Sequence, residues 1–159
     1  MGLDLVAELE GVLEALAGAG VEYAVCGGMA VNVHGHVRAT RDIDLLILRE
    51  DLPRVLAAIR PRGFTLDAGP IPFGAGTATE RELHRVSKVD QGSLLTLDLL
   101  LVTKVFEEVW SHREKAQWRL RDIWVVSLGG LATMKRLAGR AQDLADLESL
   151  GLGGYKDEP

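Results

Sequence analysis

One stretch limits the fold of this chain more than any other. "LLTLDLLLV", Leu94 to Val102, is apolar except for Thr96 and Asp98. A run of that length and character suits a central strand of a sheet whose faces are covered. An ionised aspartate on such a strand is costly unless a cation or good hydrogen bonds meet it. A salt bridge to a nearby arginine is one way to meet it. A share in a metal site is the other.

The remaining pattern supplies the cover. Leu5, Leu9, Val12, Leu13 and Leu16 recur at helical spacing, and Gly18-Ala19-Gly20 ends that helix. "VEYAVC", Val21 to Cys26, reads as a buried strand; Gly27-Gly28 then lead into a short helix, Met29 to Val33, and "HGHVRATR" into a loop. Ile43 to Leu48 is a second buried strand. "REDLPRVLAAIRPRG" predicts a helix with Pro53 in its first turn, stopping before Pro61. "GPIPFGAGT" reads as a loop, and "ELHRVSKVD" with "LLTLDLLLV" as a hairpin turned at Gln91-Gly92. "KVFEEVWSHREKAQ" predicts a helix and "WRLRDIWVVSL" a strand. From Ser127 the chain is helical, with Ser127 as N-cap and Gly139 as an interruption. The expected class is therefore α/β (α+β): a mixed β-sheet with helices packed against it and a helical C-terminal segment. Residues 1–150 read as a single domain, with a core of about 21–126 and a helical part 127–150. The tail 151–159 is expected to be flexible.

Composition narrows the function. The chain has 159 residues, and its net charge of −5 argues against broad electrostatic binding of nucleic acid, though not against a local basic patch. The single cysteine, Cys26, excludes an internal disulfide and fits a reducing cytoplasm, its place in an apolar run making it a small buried hydrophobe. Acidic residues through the first helix leave no signal peptide, and no apolar run reaches the ~18 residues of a membrane span. A soluble, cytoplasmic protein is expected.

The carboxylates carry the chemistry. Side chains two apart on a strand face the same way, so Asp42 and Asp44 share a face while Ile43 points into the core. Two carboxylates that close repel unless a cation lies between them, and Mg²⁺ prefers carboxylate and water oxygens. Alternatively, Asp42 is a loop residue and Asp44 a solvated one. With Asp98 on a neighbouring strand, three carboxylates would make a site for two Mg²⁺ ions, suited to phosphoryl or nucleotidyl transfer. Gly27-Gly28, between strand and helix, would let backbone approach phosphate closely.

Apolar strand, Gly27-Gly28, Asp42-Ile43-Asp44 and a later Asp98 together resemble the nucleotidyltransferase superfold shared by DNA polymerase beta and the small MNT-type enzymes. The wording "GGMAVNVHGHVRATRDIDLLI" is most similar to the AbiEii-like branch, which includes toxins of bacterial toxin–antitoxin systems. The resemblance implies an NTP substrate, ATP among them, and catalysis by Asp42, Asp44 and Asp98. In that branch a helix after the final strand carries a lysine, then an arginine and an aspartate; "LATMKRLAGRAQDLADL" offers Lys135, Arg140 and Asp143, with Asp146 a second acid. The family implies a triphosphate contact for Lys135, which the helical wheel also places on the inward stripe with Leu128 and Leu131. A snorkelling surface lysine is the alternative. Gln142 stands where relatives place a second basic residue. Arg38 and Arg41 precede the acids and are candidates for phosphate or solvated loop residues. His34 reads as a structural residue at the short helix end, and Trp110, Trp118 and Trp124 as packing residues.

The implied function is Mg²⁺-dependent transfer of NMP from an NTP to an acceptor hydroxyl, by the toxin of a toxin–antitoxin pair acting on tRNA or protein, with an antitoxin as partner. Two alternatives stand beside it. One is a non-catalytic binding or regulatory module of the same fold; the other is transfer to a small molecule such as an aminoglycoside.

Overall fold

The computed structural model describes residues 3–36 and 39–152. Seven strands form one mixed sheet in the order β3-β4-β5-β2-β1-β7-β6. Their ranges are β1 Ala24–Cys26, β2 Asp42–Ile47, β3 Leu66–Phe73, β4 Arg81–Asp90, β5 Ser93–Leu101, β6 Glu114–Trp118 and β7 Arg121–Val125. Among the described residues six α-helices accompany them: α1 Leu5–Gly18, α2 Gly27–Val33, α3 Leu52–Ile59, α4 Glu107–Ser111, α5 Leu128–Ala138 and α6 Ala141–Ser149. β2 runs parallel to β5 and antiparallel to β1, which is itself parallel to β7. The expected mixed sheet with a helical C-terminal segment is what the chain forms.

The central run behaves as its composition requires. Leu97 and Leu99 of β5 and Ile43, Leu45 and Ile47 of β2 are fully buried. The face carrying them is closed by α1. Lys88 of β4, opposite Leu95 on that face, donates to the Glu8 carboxylate of α1 at 3.0 and 2.9 Å. Asp4 caps α1, its carboxylate accepting from the Val6 and Ala7 amides. Ser127 likewise caps α5, bonding the Gly130 amide, and Gly139 ends α5 in the left-handed conformation.

Three elements differ from the sequence reading. "GPIPFGAGT" is not all loop, because Gly69 to Phe73 belong to β3. Two prolines are tolerated there since β3 is an edge strand, bonded only to β4, and a bulge between Asp67 and Gly69 shifts its register. The helix expected over "KVFEEVWSHREKAQ" stops at Ser111, and Glu114–Trp118 form β6 instead. Arg113 between them stacks on the Trp110 and Trp124 rings, 3.9 and 5.0 Å from their centroids, which ties the new strand to the core. β1 is also shorter than expected, beginning at Ala24, and α2 starts directly at Gly27. The tail beyond Leu152, expected to fray, lies outside the described residues.

Candidate active site

β2 and β5 bring the carboxylates together. Their parallel register sets Asp42 opposite Thr96 and Asp44 opposite Asp98. Asp44 also lies opposite Cys26, the last residue of β1, so the chain entering α2 passes directly over it. Gly27 has φ +63°, and a Cβ there would lie 2.1 Å from Asp44 Oδ2. Only glycine fits beside this carboxylate.

The crowding has an electrostatic signature. Asp44 is pushed up to about 7, first by burial and then by the Asp98 and Asp42 carboxylates. Arg140 and Lys135 pull it back only in part. Asp42, at the strand's entry, is exposed.

Asp98 takes the first of the two routes open to it. The Arg85 guanidinium grips it from β4, with Nε donating to Oδ1 at 2.8 Å and an η-nitrogen to Oδ2 at 3.0 Å. Both oxygens are engaged by this one side chain. Among the described residues no three of His, Cys, Asp and Glu stand so as to hold a metal ion. Asp42 and Asp44 remain suitable. They are two hard oxygen donors on one face, and a divalent cation would offset the repulsion that raises Asp44. The sequence holds the signal for Arg85. Counting back from the Gln91-Gly92 turn puts it opposite Asp98 in the hairpin register.

The C-terminal residues are placed nearby but occupied. Lys135 is buried, and its Nζ lies 2.7 Å from Asp146 Oδ2 and 3.5 Å from Asp143 Oδ1. It sits on the inward stripe of α5, and its ammonium neutralises two buried acids of α6. Gln142 completes Asp146 with a bond of 2.8 Å. Arg140 donates its backbone N–H and Nε to Asp143 Oδ2 at 3.1 and 2.8 Å, while its side chain stays largely exposed beside the carboxylates. Of the remaining candidates, Gly28 is buried in the first turn of α2. Arg41 is exposed, and Arg38 lies outside the described residues. His34 is structural, its Nε2 lying 2.8 Å from the Val126 carbonyl.

A cleft of about 230 Å³ opens over these groups, with Asp44, Asp98, Arg85 and Arg140 in its floor and Phe73 and Arg81 at the β3–β4 end.

Glycine-flanked carboxylates on paired strands, in this sheet, define the nucleotidyltransferase superfold, and known structures agree. A protein of Thermotoga maritima assigned as a nucleotidyltransferase superposes with a TM-score of 0.62 at 13% identity, covering 90% of this chain and 89% of that one. ANT(2'')-Ia in complex with adenylyl-2''-tobramycin gives 0.58 at 14% identity, covering 93% and 86%. JHP933 of Helicobacter pylori gives 0.51 at 20% identity, covering 94% and 65%. The aminoglycoside-2''-adenylyltransferase family model matches residues 8–150, and the chain belongs to that family. It is a nucleotidyltransferase. No curated protein matches it. No helix among the described residues is long and apolar enough to cross a membrane.

Proposed function

We propose that this chain transfers NMP from an NTP to an acceptor hydroxyl, in a Mg²⁺-dependent reaction on the Asp42–Asp44–Asp98 face. The observation that carries it is the register of Asp44 with Asp98, under a glycine that leaves no room for a side chain. The NTP phosphates lie at Gly27 and Gly28, with Arg140 the exposed cation beside them. Asp42 and Asp44 would hold Mg²⁺, which when bound neutralises phosphate charge and makes the α-phosphorus more electrophilic. Asp98, once an oxygen is released from Arg85, accepts the acceptor's proton. The acceptor oxygen bonds the α-phosphorus, the bond to the β-phosphate oxygen breaks, and pyrophosphate leaves. Alignment of donor and acceptor supplies most of the rate. A second Mg²⁺ would need Asp98 as ligand, in competition with Arg85. Lys135 and Asp143 support this site by holding α6 against α5.

The acceptor follows separate lines. The family name and the tobramycin adduct in ANT(2'')-Ia support an aminoglycoside hydroxyl. The resemblance to the AbiEii-like branch supports a tRNA or protein acceptor and an antitoxin partner. All share one donor half. Its test is Asp44→Ala: Mg²⁺-dependent pyrophosphate release should fall at least ~10³-fold with the thermal transition retained. Unchanged release in that variant would sink the reading, as would a wild-type chain that shows no Mg²⁺-dependent NTP binding.

A further inference from the structure

Three strands set a row of charged side chains across the floor of the cleft. Asp44 of β2 lies opposite Asp98 of β5, and Asp98 lies opposite Arg85 of β4. Asp42, two residues before Asp44, shares its face. Charge is matched unevenly along this row. Asp98 has the whole Arg85 fork, at 2.8 and 3.0 Å, whereas Asp44 keeps the repulsion that raises it.

Arg85 stands where a cation shared by these acids would stand. Its Asp98 hydrogen bonds hold the guanidinium above its ordinary range; partial burial opposes them, and the Asp98, Asp42 and Asp44 charges add to them. Its side chain is 44% exposed against 10% for Asp98, so it covers a buried carboxylate from the solvent side. The other two arginines of the cleft are anchored away from the reacting acids. Arg140 is tied to Asp143 by its backbone N–H, Nε and an η-nitrogen, and Arg81 Nε donates to the Thr79 carbonyl at 3.2 Å. An arginine fork binds carboxylate and phosphate with the same two-point geometry, so it can exchange one for the other without losing bonds. A divalent cation is an equally good partner for the carboxylate, but it repels a guanidinium held on the same group.

On the donor reading above, we propose that Arg85 is a latch on the second metal position. In the nucleotide-free protein its guanidinium takes the place of a cation at Asp98, and the site holds one Mg²⁺ ion tightly, at Asp42 and Asp44. When NTP enters, its phosphates give the Arg85 fork another partner. Asp98 is then free to hold the second ion or to receive the acceptor's proton. The exchange is one of ion pairs only, and it keeps Asp98 from acting as a base on water while no nucleotide is bound.

The test titrates the full chain with Mn²⁺, in place of Mg²⁺, and counts bound ions by electron paramagnetic resonance. Without nucleotide the wild type should bind one ion tightly and a second weakly. Arg85→Gln should tighten the second ion about tenfold, the worth of a charge-assisted hydrogen bond. Arg85→Lys, which covers Asp98 at one point, should tighten it by a smaller factor. In an Asp98→Asn background Arg85→Gln should change nothing. Arg81→Gln removes an equal charge from the cleft and should leave the second ion as in wild type. An α,β-methylene NTP should tighten the second ion more in wild type than in Arg85→Gln, which has no latch to release. An unchanged second ion in Arg85→Gln, or an equal gain in Arg81→Gln, overturns the latch. If Arg85→Gln loses its thermal transition, an unchanged second ion in Arg85→Lys overturns it. A wild-type chain that binds no NTP analogue in the presence of Mn²⁺ would instead overturn the donor reading.

Discussion

The two halves of the sheet are built on opposite terms. In the half formed by β5, β2 and β1, Ala24, Val25, Leu45, Leu46, Leu97 and Leu99 have no exposed surface. In the other, β3 is almost wholly exposed along its length. The covered half holds its charges rigidly, with Lys135, Asp143 and Asp146 buried together. The open half holds Arg81 and Arg85 at the surface of a cleft. In the proposed reaction the carboxylates of the first half serve the donor, and the accessible side chains of the second are where an acceptor would be chosen. Rigidity and access are separated by one strand, β5.

Substitutions can break this contrast, beginning where the effect is largest. Lys135→Met leaves Asp143 and Asp146 buried without their ammonium, and should cost about 3–5 kcal/mol of stability in urea unfolding. An equal loss in Arg49→Met would erase the contrast, since Arg49 pairs at the surface with Glu82 of β4 and should cost about 1 kcal/mol or less. Second is the pH dependence of the metal-free protein. Asp44 sits at about 7 against an ordinary 3.8, so the folded state binds its proton more tightly than the unfolded state does. Its contribution to stability is present below about pH 4 and lost as pH rises through 7, on the order of a few kcal/mol. Thermal transitions between pH 5.5 and 8 should therefore show a downward component that Asp44→Asn removes, and Mg²⁺ at pH 8 should raise the wild-type transition. Third, Gly27→Ala forces a methyl onto Asp44 at a positive φ. It should destabilise by about 1–3 kcal/mol and abolish Mg²⁺-dependent NTP binding, read by calorimetry. Smallest is Leu66→Thr on the open edge strand, expected within about 0.5 kcal/mol of wild type with NTP binding intact.

Much of the covered half is legible in the sequence, because it is specified locally. The apolar runs give β2 and β5, D-I-D sets two acids on one face, Gln91-Gly92 turns the hairpin, and Ser127 and Gly139 bound α5. The family likeness follows from that half. What is harder to read depends on long-range partners. Two prolines argue against a strand until β3 is known to lie at an edge. Lys135 reads as an inward-facing lysine, but its partners come into view only when the left-handed turn at Gly139 folds α6 back and delivers Asp143 and Asp146 to it. Arg85 is intermediate: the hairpin register places it opposite Asp98, but a strand pattern cannot say whether an arginine there grips the acid or points to solvent.

The segment joining β3 to β4, residues 74–80, is exposed throughout and turns at Gly74 and Gly76, both with positive φ. It joins Phe73 to Arg81 at the β3–β4 end of the cleft and contributes nothing to the buried core. Insertions and exchanges in such a segment are tolerated well. Under the proposed reaction, this one short surface segment would be a cheap place to alter the rim of the cleft while the carboxylate pair and its glycine stay as they are.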